Sequence, residues 1–402
     1  MRAKQSDYDV IIAGAGPAGS SAAIHLVTGG ARVLLVEQKK FPRPKLCGEF
    51  ISPECLNHFE RLGVADQMLQ AGGELITQTV FYSRSGRSVK VPSQWFDSKN
   101  VALGLSRAEM DHRLLERARS VGVEIKEDTQ ASGLLMEGKR VAGVQLKSAT
   151  GAAEATAAVV IDATGRARSL AHRVRELSGS HNGKAHHERA SLVAFKAHLE
   201  NTRAEPHTCE IYSYPGGYGG LSQVENGLSN LCFIAASKDV RECESDPGTV
   251  MRKLVAKNSR AAQTLVDARP QDQWLAVSLE GFGRNEPAPV DGLLTAGDSA
   301  AFIDPFTGSG MLMALEGGEL AAHAILKHLP DLRTAQVYES MGRDYREQYH
   351  RRFGSRLRVC AMLRRAAFVP SLADLVIGFF GLSERLRHSF AQATRAKASQ
   401  ST

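Results

Sequence analysis

The chain has no Cys-x-x-Cys pair, no run of 18 or more apolar residues, and only two tryptophans, Trp95 and Trp274, in 402 residues. Each absence excludes something. Its six cysteines (Cys47, Cys55, Cys209, Cys232, Cys243 and Cys360) are scattered, with no histidine partner at zinc spacing. Neither a structural metal nor a disulfide framework is expected, and the six read as reduced thiols of a cytoplasmic protein. Without a long apolar run no segment is expected to span a bilayer. Residues 1–7 lack the apolar centre of a secretory signal. The formal charge of +7 is mild, with its basic excess gathered around Arg343 to Arg365, so no nucleic-acid partner is expected. The remaining composition, 43% hydrophobic and 23% charged, is that of an ordinary globular protein and drops the disordered and fibrous classes. The length allows two domains, or one domain with a large insertion.

What is present is concentrated near the start. An apolar run (Tyr8, Val10, Ile11, Ile12, Ala13) leads into Gly14-Ala15-Gly16-Pro17-Ala18-Gly19, then into a small-residue helix closed by Gly29-Gly30. A second apolar run, Arg32 to Val36, ends on Glu37. The order is strand, Gly-rich turn, helix, strand, acid. Gly14 permits the tight turn, and Gly16 lets main-chain N–H groups approach a pyrophosphate at the positive end of the helix. Gly19 allows close helix–strand packing, and Glu37, 18 residues on, is placed to accept from a ribose hydroxyl. Pro17 is harmless in the first helical turn, where its missing N–H has no partner to lose. A dinucleotide site is expected here; the alternative is a βαβ turn that binds nothing.

Beyond Glu37 lies a proline-broken basic loop, Lys39 to Glu49, and a helix is expected from Ser52-Pro53-Glu54 to Leu62-Gly63. Residues 75–92 alternate as strands around a Ser85-Gly86 turn. Ser106-Arg107-Ala108-Glu109 has the form of a capping box, in which Ser106 and Glu109 satisfy each other's free N–H groups. Short strands follow, and Ala157 to Ile161 leads into Asp162-Ala163-Thr164-Gly165. Strand-like alternation dominates from 169 to 287, interrupted by one helical stretch over Gly248 to Ala268, which predicts an inserted antiparallel sheet. From Asp331 the chain reads as helical and basic.

A second Gly-rich segment stands near position 300. Leu294-Thr295-Ala296-Gly297-Asp298 is followed by Asp304-Pro305-Phe306-Thr307-Gly308-Ser309-Gly310-Met311, which opens a long helix ending in Lys327-His328. Lys327 and His328 suit that helix's negative end, while its uncapped N-terminus is a ready anion site. Asp298 is placed to accept from a hydroxyl of the cofactor, or else to serve as an N-cap.

In this order the segments at Gly14 to Gly19, Arg107 to Leu114, Asp162 to Gly165 and Gly297-Asp298 resemble FAD-dependent enzymes of the para-hydroxybenzoate hydroxylase fold. Lys45 to Glu49, Tyr214 to Gly219 and Asp304 to Gly310 are similar to the geranylgeranyl reductase branch. The resemblance covers residues 7–330. It implies an α/β fold with an α+β insert: a Rossmann-like FAD-binding domain in three parts (7–74, 101–168, 288–330) and an antiparallel-sheet substrate domain (75–100, 169–287), while the residues beyond it read as a C-terminal helical region (331–402). It also implies FAD contacts from Gly14, Gly16, Ala18, Gly19, Glu37, Arg107, Asp298, Gly308, Gly310 and Met311. By the same resemblance Cys47 and Tyr218 would stand near the flavin ring as catalytic candidates. The other readings are a solvated first-turn residue for Arg107, a solvated basic loop for Arg43 and Lys45, a small buried hydrophobe for Cys47, and a hairpin turn for Tyr218. Three departures matter. Thr164-Gly165 replaces the Asp-Gly of the aromatic hydroxylases, Gly220-Leu221-Ser222-Gln223 replaces the branch's Trp-x-Phe-Pro, and the halogenase Trp-x-Trp-x-Ile-Pro motif is absent.

The expected activity is an FAD-dependent oxidoreductase acting on a hydrophobic, unsaturated, isoprenoid- or polyketide-like small molecule, free or carrier-bound. Hydride transfer to C=C is favoured. A flavin monooxygenase (hydroxylase) working through a C4a-peroxide is the alternative, and a non-catalytic or electron-transfer flavoprotein the third reading. With no second Gly-x-Gly-x-x-Gly, NAD(P)H is expected only as a transient reductant. The apolar stretch from Phe368 to Leu382, after a basic helix carrying Arg351, Arg352, Arg356, Arg358, Arg364 and Arg365, reads either as a packed helix or as a lid with peripheral contact to an anionic membrane.

Overall fold

A computed structural model describes residues 6–177, 191–279, 282–304, 306, 308–332, 334–367, 383–385 and 387–388. The expected α/β architecture is what forms. Five parallel strands lie in the order Glu124–Lys126, Val33–Val36, Tyr8–Ala13, Gly151–Asp162, Leu293–Thr295. Val10 to Ala13 and Val33 to Val36 are buried throughout. A parallel sheet covered on both faces demands such unbroken apolar runs. Strand order reverses between Tyr8–Ala13 and Gly151–Asp162, so a crevice opens at the carboxyl ends of these two strands. The first half of Gly151–Asp162 continues past the parallel core and pairs antiparallel with Arg140–Ser148, which pairs with Thr129–Glu137.

The helices Pro17–Thr28 and Gly310–His328 pack backbone to backbone on this sheet. A methyl group on Gly318 would lie 2.2 Å from the Ala18 carbonyl oxygen, and Ser21 Oγ donates to the Leu315 carbonyl at 2.9 Å. This close approach holds the two Gly-rich segments, nearly 300 residues apart in sequence, side by side.

The second sheet has eight strands, among them Gln78–Tyr82, Ser88–Pro92, Leu192–Glu200, Thr208–Tyr214, Gly217–Gln223 and Ser229–Ala236. Alternate residues face opposite ways. Phe195, Tyr212, Tyr214, Leu231 and Phe233 form a separate core with the helices over 237–264. Ala194, Ile211, Tyr218, Cys232 and Ile234 turn toward the nucleotide-type sheet.

Four local expectations are corrected. The insert is not wholly antiparallel, because Gln78–Tyr82 runs parallel to Thr208–Tyr214. The helical stretch over Gly248 to Ala268 is three short pieces, Pro247–Lys253, Val255–Lys257 and Ser259–Thr264. Asn258 breaks it by capping the last piece, accepting from Arg260 N and Ala261 N. The helix Ser169–Leu177 packs against the parallel sheet through Leu170, and its first amides donate to Asp162 Oδ2. Only half of the capping box forms: Ser106 Oγ accepts from Glu109 N, but Ser106 N donates to Glu225 Oε2 and Glu109 pairs with Arg113.

The basic helix Ala335–Ala367 packs on Gly310–His328 through charge as well as apolar contact. Arg352 and Arg356 turn inward onto the buried Glu316, and His58 lies 3.7 Å from Glu316 and 3.1 Å from Glu319. Arg351 pairs with Glu347, and Lys327 and His328 both pair with Asp344. Of the arginines expected to meet an anionic surface, Arg356 is buried and Arg352 partly so, whereas Arg351 stays exposed beside Glu347. Phe368 to Leu382 lies outside the described residues, and the side chains of Arg364 and Arg365 are likewise not described.

Burial disfavours the His58 cation, but bonds to Glu316 and Glu319 hold its pKa above the ordinary histidine value. Against that same burial, His58 and the two arginines hold Glu316 down at about 2. A histidine pKa raised by folding adds stability below about pH 6.5 and loses it as pH rises through the folded value. The melting temperature of wild type minus that of His58→Gln should therefore fall by roughly 1–3 °C between pH 6 and pH 9. A pH-independent difference would disprove this coupling.

Candidate functional site

A cavity of about 630 Å³ lies between the carboxyl ends of the parallel strands and the inner face of the second sheet. Three turns build its nucleotide-type half. Tyr8–Ala13 runs into Gly14, Gly151–Asp162 into Ala163-Thr164-Gly165, and Leu293–Thr295 into Gly297-Asp298. They interlock: Ala163 N donates to the Ala13 carbonyl at 2.8 Å and Ala296 N to the Asp162 carbonyl at 3.0 Å. A methyl on Gly297 would lie 2.9 Å from Ala18 Cβ. The two distant Gly-rich segments thus meet, as one extended ligand requires.

Each glycine is there for a different reason. Gly14 has φ of +100°, and a side chain there would strike the Ala163 carbonyl. On Gly19 a methyl would collide with the Gly14 carbonyl oxygen at 1.8 Å. Gly16 has ordinary extended backbone, and the nearest atom to a methyl there is an Arg107 nitrogen at 3.8 Å. Its bareness serves the cavity, not the fold. The helices Pro17–Thr28 and Gly310–His328 both begin without a side-chain cap, and Gly16, Pro17, Ala18, Gly308, Gly310 and Met311 line the space in front of them. Free first-turn amides make both ends anion-attracting.

Cations converge on this half. Arg107, 9% exposed, forms a fork to Asp111 at 2.8 and 2.7 Å; burial opposes its charge, but Asp111 keeps the guanidinium pKa raised. Arg107 is therefore buried rather than solvated. Arg43 bridges Asp111 at 3.3 Å and Glu37 at 3.4 Å. Glu37 accepts from Ala15 N at 2.9 Å and Lys39 N at 3.1 Å, which ties the acid to the Gly-rich turn. Lys45 has no hydrogen bond or ion pair among the described residues. It lines the cavity, and desolvation, with Arg107, Arg43 and Arg166 nearby, lowers its pKa, while Asp298 pulls the other way. Asp298 faces the same cations and caps no helix; burial pushes its carboxyl up, and Arg107, Arg166 and Lys45 pull against that. An unpaired amine among like charges calls for an anion.

Cys47 and Tyr218 both border the cavity. Cys47 is half-buried, with its sulfur accepting from Glu49 N at 3.4 Å and its carbonyl from Asn230 Nδ2 at 3.1 Å. Tyr218 lies within the strand Gly217–Gln223, past the Pro215-Gly216 turn. Its hydroxyl donates to Asp304, and its ring meets Phe306 edge-on at 5.2 Å. Burial, then the Asp304 charge, raises the Tyr218 pKa well above its usual value.

The sequence reading gave no role to the group beneath Cys47. Glu49, 1% exposed, accepts from Lys196 Nζ at 2.9 Å, His198 Nε2 at 2.6 Å and Arg107 N at 2.9 Å. The signal was there: Lys196 and His198 stand two apart, flanked by apolar residues of one strand, so both point to one face. Asp304 was quoted but not assigned a partner, since nothing local pairs it with Tyr218.

The family described as FAD binding domain matches residues 7–341. Digeranylgeranylglycerophospholipid reductase 2 of Methanopyrus kandleri is 26% identical over 359 residues, covering 87% of this chain and 83% of that protein. Two solved structures share the fold. The flavin-dependent brominase Bmp2 has a TM-score of 0.79 at 21% identity, covering 96% of this chain and 93% of that one. A geranylgeranyl bacteriochlorophyll reductase-like protein from Thermoplasma acidophilum has a TM-score of 0.76 at 20% identity, covering 96% of both chains.

Proposed function

The chain belongs to the FAD binding domain family and is an FAD-dependent oxidoreductase; from that premise we propose that it transfers hydride to a C=C bond of a hydrophobic, isoprenoid- or polyketide-like substrate. The observation that carries this reading is the apolar half of the cavity. It is continuous with the cation-lined half and walled by Phe81, Ile211, Ile234, Leu279, Phe302 and Phe306. Such walls exclude water and offer a substrate burial rather than polar recognition.

Three features support seating FAD in the other half: the bare Gly16, the two uncapped helix starts, and the unpaired Lys45 amine among converging cations. Gly14, Gly16, Ala18 and Gly19 would then receive the pyrophosphate, with Arg107 beside it. Glu37 would accept from the ribose and Asp298 from the ribityl chain. Gly308, Gly310 and Met311 would present amides to the ring's pyrimidine edge. Bound FAD supplies the two-electron chemistry. NAD(P)H is proposed as the reductant, binding transiently.

The protein's own part is to fix the substrate and hold a proton. The Tyr218 proton is committed to Asp304, so its ring is a rigid wall of the cavity. The Cys47 thiol is the group there that can hold a proton at Sγ and give it to the carbon next to the one receiving hydride.

The test is turnover without oxygen. Enzyme photoreduced anaerobically should be reoxidised by a polyprenyl acceptor, giving a product heavier by two hydrogens. Oxygen consumption tied to substrate, with a product heavier by one oxygen atom, would overturn the reductase reading in favour of a monooxygenase.

A further inference from the structure

One cation lining the cavity comes from the C-terminal part of the chain. Arg387 and Phe96 both line the cavity, and the neighbouring His388 packs edge-on against Trp95 at 5.4 Å. The other charged residues lining the cavity are Glu37, Lys39, Arg43, Lys45, Glu49, Arg107, Arg166 and Asp298. The Arg387 side chain has no ion pair and no hydrogen bond among the described residues, and its Nε is buried without an acceptor. Contrast Arg166, which lies over the Phe302 ring at 5.2 Å and reaches the Ser278 carbonyl at 3.4 Å. A guanidinium offers five donors, and leaving its buried Nε unmatched is costly unless a ligand supplies the acceptor.

We propose that Arg387 is the anchor for an anionic end group, a phosphate or carboxylate, of an amphiphilic substrate whose apolar body fills the chamber toward the flavin. This rests on the proposed function for the identity of the apolar body, but not for the charge at its end. Arg387 sets which end enters last and selects acidic amphiphiles over neutral ones of the same length. A planar fork suits both oxyanions, so phosphate ester and carboxylate share the site.

The experiment compares ligands that differ only at the end group, with binding followed by flavin and Trp95 fluorescence of the FAD-loaded protein. Geranylgeranyl monophosphate is set against geranylgeraniol, and oleate against oleyl alcohol; inorganic phosphate serves as the headgroup alone. Wild type should bind each anion about ten- to a hundredfold tighter than its alcohol. Arg387→Leu should lose that preference while keeping its FAD content and its affinity for the alcohols, and Arg387→Lys should keep part of it. Inorganic phosphate should bind weakly, since it has no body to bury. Equal preference for the anions in wild type and Arg387→Leu would overturn the proposal, as would tight phosphate binding independent of Arg387. If oleate shows the Arg387-dependent preference and neither isoprenoid binds, the anion site stands and the isoprenoid reading falls. If no amphiphile binds, both fall.

Discussion

Gly16→Val should give a folded, soluble and colourless protein. The residue before the first helix has φ of −73° and ψ of −175°, which any amino acid adopts, and a methyl there meets nothing nearer than 3.8 Å. The fold therefore tolerates a side chain at this position. The pyrophosphate does not, because it must come within hydrogen-bond distance of the main chain just where the isopropyl group would stand. FAD content should drop by on the order of tenfold or more, with circular dichroism unchanged. Gly19→Val is the contrast: its side chain would overlap the Gly14 carbonyl oxygen, so this variant should lose solubility together with colour. Yellow Gly16→Val protein with wild-type FAD content would sink the cofactor placement.

Glu49→Leu should be the most destabilising single substitution near the cavity that leaves the Gly-rich turns untouched. It removes a carboxylate on which a buried ammonium, an imidazole and a helix-start amide all converge. Lys196 is 3% exposed and would be left charged with no partner, a loss of about 3–5 kcal/mol. The melting temperature should fall by roughly 4–6 °C. Glu49→Leu combined with Lys196→Met should recover much of it, since the orphaned charge is gone. The sign of the pH effect follows from the carboxyl. Burial alone would raise its pKa, but the bond from His198 and the charge of Lys196 hold it below the ordinary value. A depressed pKa gives stability that is present above about pH 4.3 and is lost as pH falls through the folded value. Wild type should accordingly lose its advantage over Glu49→Leu in acid. Equal melting temperatures at pH 7 would show that the cluster adds nothing.

The nucleotide half was legible because its signals are local. A strand, a glycine turn, a helix and an acid follow within 30 residues, and each glycine stands where the backbone forces it. The buried strands read as apolar runs because both faces are covered. Errors came where a local rule met a distant competitor. Ser106 N found Glu225, not Glu109, and Arg356 found Glu316 rather than solvent. A capping box or a basic stripe records only what neighbours in sequence can do.

The sequence by itself determined that a Gly-rich turn would precede the first helix, that a second uncapped helix would start near Gly310, and that an alternating sheet would be inserted between parts of one α/β domain. These depend on backbone conformation and on side-chain period, both set within a few residues. Only the tertiary structure decided that Gly297 lies against Ala18, that Glu49 gathers Lys196 and His198, that Tyr218 is tied to Asp304, and that Arg387 borders the cavity. Each joins residues from 86 to 279 positions apart, or, for Arg387, borders a chamber built by strands from across the chain. Such pairings are selected by burial: a charge or hydroxyl taken out of water must find a partner, and the fold, not the local sequence, decides which one is within reach.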